Sequence, residues 1–124
     1  MSQKFRVPGP LPGINDIIKM AKRHPQAYAK EKRELTNMVR VSVIAAGIQP
    51  MRCVSVHMTH HEAHRRRDPD NIFGGAQKFI LDGIVAAGVL PADTAKHVRG
   101  ISHELGEPDM VNPHIMVRLE ELAA

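Results

Sequence analysis

The 124-residue chain has a single cysteine, Cys53, few aromatic residues and no tryptophan. One cysteine excludes an intrachain disulfide framework and any cysteine-rich zinc site, and it fits a reducing, cytoplasmic setting. Aromatic residues make up 3% of the chain (Phe5, Tyr28, Phe73 and Phe79). That argues against single-strand binding on a row of stacked aromatic platforms. No apolar run approaches the roughly 18 residues of a membrane span, and the N-terminus shows no apolar signal-peptide core. Acidic residues are scarce in the first half. Residues 1–67 carry 13 Lys and Arg against four Asp and Glu, and residues 68–124 carry four against nine. A basic half that runs into an acidic half suggests a polyanion partner beside a cation site. An unevenly charged, solvated surface has the same composition.

Apolar residues make up 43%, a normal globular share, and the length fits one domain covering residues 1–124. Lys4 to Val7 alternates as a short strand, and Pro8 to Gly13 forces a turn. Asn15 or Asp16 is placed to cap a helix from about Ile17 to Arg23. A longer helix is expected from Ala27 to Ala46, closed by Gly47. Met51 to His60 alternates, with Val54, Val56 and Met58 on one face and Cys53, Ser55, His57 and Thr59 on the other. A charged loop, 61–70, leads to a third helix from Asn71 to Ala87 with Ile72, Ala76, Phe79, Ile80 and Gly83 in one stripe. Asp93 to His97 reads as a short turn or helix, and His114 to Leu119 as the last strand. The order β, α, α, β, α, β predicts a small α+β domain, a short mixed sheet packed against two or three helices.

The densest polar cluster is Arg65-Arg66-Arg67-Asp68-Pro69-Asp70-Asn71. Pro69 biases Asp68 toward an extended backbone, where residues i and i+2 face the same way. Asp68 and Asp70 are then expected to project together. Paired carboxylates repel unless a cation lies between them, and hard oxygen ligands suit Mg²⁺ or Mn²⁺. Arg65, Arg66 and Arg67 stand ready to hold a phosphate backbone nearby. Turn and helix-cap chemistry explains the same four residues, Asp68 to Asn71, without any ligand. Lys78 and Asp82 share a helix face. Of the eight histidines, His57, His60, His61 and His64 crowd together; without cysteine they read better as exposed polar positions than as a zinc site.

Taken in order, Arg66-Arg67-Asp68-Pro69-Asp70-Asn71, Lys78-Phe79-Ile80-Leu81-Asp82-Gly83, Ala87-Gly88-Val89-Leu90 and Asp93 resemble the active-site core of the RusA family of Holliday junction resolvases, especially its small phage-borne members. Val7 to Asn15 resembles the opening strand and turn of that group. The similarity is strong over about residues 64–97 and patchy elsewhere. It implies Mg²⁺, with Mn²⁺ as a substitute, held by Asp68, Asp70 and Asp93, with Lys78 assisting catalysis. It also implies a homodimer that nicks opposed strands of a four-way junction symmetrically, leaving 5′-phosphate ends, in DNA recombination and repair. One departure stands out. Many members place the lysine one helical turn after the second aspartate, where this chain has Gly74. A four-residue insertion near Ile72–Gly75 accounts for the shift, and Gly74-Gly75 would bring Lys78 back if they delayed the helix start.

Further DNA contacts are expected from Lys30, Lys32 and Arg33, which fit a solvated helix face equally well. Apolar stretches within residues 35–50 are candidates for the dimer interface. A non-catalytic branched-DNA-binding protein on the same fold is the main alternative. A phosphohydrolase acting on small esters is disfavoured by the basic first half.

Overall fold

The computed structural model describes residues 1–123. Its elements are β1 (Ser2–Pro8), α1 (Ile14–Arg23), α2 (Pro25–Ala45), β2 (Val54–His61), α3 (Pro69–Ala86), β3 (Val98–Leu105) and β4 (His114–Glu121). The strands form one mixed sheet in the order β1-β4-β2-β3. β4 runs antiparallel to both β1 and β2, and β3 runs parallel to β2. The parallel pair needs a crossover, which α3 supplies. This is the expected small α+β domain.

Alternation decides which face is covered. Phe5 and Val7 of β1, Val54, Val56 and Met58 of β2, and Ile115, Val117 and Leu119 of β4 are buried. They pack with Ile17 of α1, Val39 and Val43 of α2, and Phe79, Ile80 and Ile84 of α3. The alternate residues, among them Lys4, Arg6, His57, Thr59 and Arg118, lie on the other face of the sheet. α3 is apolar on most sides because it lies between the sheet and the other two helices. Gly47 and Gly88, at φ +68° and +79°, turn the chain just past α2 and α3 in the left-handed conformation glycine tolerates. Gly75 has a different duty: a Cβ there would run into the Pro12 carbonyl, so the Pro-rich turn lies directly against α3.

The sequence reading needs four corrections. β3 was not expected. Val98–Leu105 is largely polar, and its alternation is interrupted where the register shifts beside Val54 and Ser55. β2 starts at Val54 rather than Met51, and Cys53 is buried instead of lying on the open face. Residues 91–97 form turns and bends without a helix. α1 starts at Ile14 with Gly13 at its N-cap, not with Asn15 or Asp16. There the Asn15 backbone N–H is satisfied by the Asn71 side chain, which makes a local cap unnecessary.

Candidate functional site

The Asp68–Asn71 motif opens α3. Asp68 is extended, as Pro69 dictates, with ψ 152°, but Pro69 is already the first helical residue. Asp68 and Asp70 therefore do not lie on one extended stretch, and the expectation that their carboxylates project together by strand geometry fails. Asp68 Oδ1 accepts the Asn71 backbone N–H at 3.0 Å, an N-cap. Asn71 Oδ1 accepts the Asn15 N–H at 2.9 Å and joins α3 to the start of α1. Asp70 is exposed, and its carboxylate makes no hydrogen bond or ion pair among the described residues. Its position in the first turn is electrostatically favourable, because unpaired helix N–H groups point that way.

The three arginines divide in the same manner. Arg67 holds Glu62 through two bonds, Nε to Oε1 at 2.8 Å and Nη2 to Oε2 at 2.9 Å, and donates a third to the Leu11 carbonyl at 3.0 Å. Its guanidinium fastens the β2–α3 loop to the Pro-rich turn, so its donors are committed inside the fold and not offered to DNA. Arg65 is exposed and reaches Glu107 at 3.4 Å. Arg66 is exposed, with no ion pair among the described residues.

Asp93 lies elsewhere. It lines a groove of about 770 Å³ between α2 and the C-terminal half of α3, together with Asp82, Lys32, Arg33, Asn37 and Arg40. Asp70 and Asp82 are separated by twelve helical residues, about 18 Å along the axis. One chain therefore brings Asp93 to Lys32 and Arg33 but not to Asp68 and Asp70. Lys78 is also displaced. α3 runs unbroken through Gly74-Gly75, so the helix start is not delayed, and Lys78 stands about 12 Å further along the axis than Asp70. Lys30 is exposed and pairs with Glu34 at 4.0 Å on the solvent side of α2. Among the described residues, no three His, Cys, Asp or Glu side chains gather closely enough to hold a metal. The carboxylates of a single chain thus do not fit a shared Mg²⁺.

The sequence reading missed a buried polar row under the β2–α3 loop. His60 is 1% exposed and Glu62 8% exposed; His60, taken as an exposed position, falls on the covered face of β2 with Met58. His103 Nε2 donates to Gln77 Oε1 at 2.9 Å, so its Nδ1 accepts from His60 Nε2 at 2.9 Å. His60 Nδ1 is left buried without a partner among the described residues. Burial, and then the positive neighbours His103 and Arg67, lower the His60 pKa from 6.5 to about 4. Burial likewise lowers that of His103. Phe73 stacks on His103 with ring centroids 4.7 Å apart. The alternation of β2, continued two residues, was the available signal for His60; nothing in the sequence marked Glu62 as the partner of Arg67.

On the open face of the sheet, His57 Nδ1 lies 2.6 Å from Ser102 Oγ, and His57 Nε2 lies 2.8 Å from Glu104 Oε1. The bond from His57, then that from Thr59, holds the Glu104 carboxyl below its ordinary pKa. This network ties β3 to β2. No helix among the described residues is long and apolar enough to cross a membrane. No family model matches the chain, and no curated protein matches it, so the resemblance to RusA resolvases stands on the motif residues alone.

Proposed function

We propose that this protein is a metal-dependent endonuclease acting on branched DNA, of the Holliday junction-resolving type, in DNA recombination and repair. The observation that carries the reading is the division of labour at the start of α3. Asp68, Asn71 and Arg67 are explained by the fold, whereas Asp70 and Arg66 have no partner inside it and stand exposed beside each other in sequence. Exposed arginines next to an exposed carboxylate suit a phosphodiester approaching a cation. Arg65 and Arg66 would hold the backbone, and Lys32 and Arg33 would extend the contact along the α2–α3 groove. Mg²⁺, or Mn²⁺ in its place, would supply charge neutralisation at the scissile phosphate. The cytoplasm and a homodimer belong to the same proposal.

One observation favours a second reading. Because a single chain does not gather the carboxylates, a branched-DNA-binding protein without nuclease activity is consistent with the same exposed arginines. A synthetic four-way junction incubated with the protein, with and without Mg²⁺, separates the two. Paired symmetric nicks that require the ion support the endonuclease. Junction binding without nicks in Mg²⁺ or Mn²⁺ supports the binding protein. In either case affinity should fall steeply with salt, since phosphate contacts release counterions.

A further inference from the structure

The two edges of the sheet are β1 and β3, and they are protected unequally. β1 carries Lys4, Arg6 and Pro8, and its Gln3 side chain bonds both the N–H and the carbonyl of Gln49. Charge, proline and a covering segment are the usual means of blunting an edge. β3 carries an irregularity only at its start, near Arg99. From Gly100 to Leu105 it is a regular edge without proline or lysine. Two of its large apolar side chains are open to solvent, Ile101 at 39% and Leu105 at 49%. They alternate with Ser102 and Glu104 and so share one face.

We propose that the open edge of β3 pairs antiparallel with β3 of a second copy of this chain, about a two-fold axis at His103, and that this pairing carries the partner's Asp93 to the end of the molecule that bears Asp68 and Asp70. Antiparallel pairing about that axis sets Ile101 opposite the partner's Leu105, and Leu105 opposite the partner's Ile101, so both exposed pairs are covered. Ser102 falls opposite the partner's Glu104, and Arg99 comes level with the partner's Glu107. No like charges oppose each other across the pair. An isologous contact of this kind closes with two chains.

The second half of the proposal rests on the endonuclease reading. The far end of β3 and the first turn of α3 line one cavity, with Leu105, Gly106 and Pro108 facing Pro69 and Ile72. Asp93 precedes the opposite end of β3. Antiparallel pairing places the start of the partner's β3 beside the end of this one. The carboxylates that one chain separates are thereby brought to the same end of the dimer.

Sedimentation of the full chain tests the pairing without any activity. The wild type is expected to be a dimer, and Ile101→Lys with Leu105→Lys a folded monomer with unchanged circular dichroism. The double variant Ile101→Cys with Leu105→Cys should cross-link two chains on oxidation, because opposed residues of an antiparallel pair lie within disulfide reach and the native Cys53 is buried. A monomeric wild type overturns the pairing. So does a dimer that survives the lysine substitutions but dissociates with Val41→Lys and Ile44→Lys on α2.

Mixing Asp70→Asn and Asp93→Asn chains tests the shared site. Each variant alone should be inactive on a junction. Random reassociation gives half heterodimers, each with one intact site of two, so about a quarter of wild-type nicking should return. No recovery in a mixture shown to exchange subunits overturns the shared site. A wild-type dimer that binds junctions but never nicks overturns the endonuclease reading and the shared site with it, and leaves the β3 pairing supported by sedimentation.

Discussion

Arg67 and Arg66 are neighbours of one type with opposite duties. Removing Arg67 leaves the Glu62 carboxylate buried and unpaired, which is costly because burial deprives a charge of water. Arg67→Ala should therefore lower stability by about 3 kcal/mol, read as a shift in the urea midpoint. Arg66→Ala should leave that midpoint within about 0.5 kcal/mol and weaken junction binding. His60 provides a pH test. Its folded pKa of about 4 lies below the ordinary 6.5, so the unfolded chain binds the extra proton first. Stability from keeping His60 neutral is complete above pH 6.5 and is lost as pH falls from there toward 4. Urea midpoints at pH 7 and pH 5 should differ in the wild type, and the difference should shrink in His60→Gln. Arginine's role depends on what lies within reach of its guanidinium, a fact of tertiary structure. For that reason Arg65-Arg66-Arg67 was legible as basic but not as one fastener and two free cations.

Among the elements, α3 carries the most. It is the crossover between β2 and β3, its first turn presents Asp70, and its flank abuts the Pro-rich turn at Gly75. Gly75→Ala places a methyl group against the Pro12 carbonyl and should cost about 1–3 kcal/mol, by forcing that contact apart. Asp68→Ala removes the cap and should cost about 1 kcal/mol whatever the catalytic role of Asp68. Thermal unfolding of the two variants measures both effects. The periodicity of α3, the break at Gly88 and the alternation of β2 and β4 could be read because each follows from local side-chain pattern. β3 could not. It holds its place through backbone pairing to β2 and through His57 bridging Ser102 and Glu104, and neither leaves an apolar alternation in Val98–Leu105. Lys78 is the converse case. A helix start delayed by Gly74-Gly75 was a local expectation, and burial of Gly75 and Ala76 in a continuous helix overrides it.

For the molecule as a whole, the charge change between Arg67 and Asp68 coincides with the entry to α3. The acidic half, however, is spread over both ends of the domain. Asp68 and Asp70 stand at one end of α3, and Asp82 and Asp93 at the other, in the groove with Lys32 and Arg33. The ordered motif suggested one compact site because sequence proximity within a 26-residue stretch says nothing of the length of the helix between. A helix of 18 residues keeps its ends apart, and an assembly of two chains is what would reunite them. The central claim is that exposed Asp70 takes part in cutting branched DNA. It is tested most directly by nicking of a four-way junction in Mg²⁺ by Asp70→Asn, with junction affinity measured in parallel. The account predicts that nicking falls at least about a hundredfold while affinity stays within a few-fold of wild type; cutting at the wild-type rate would contradict it.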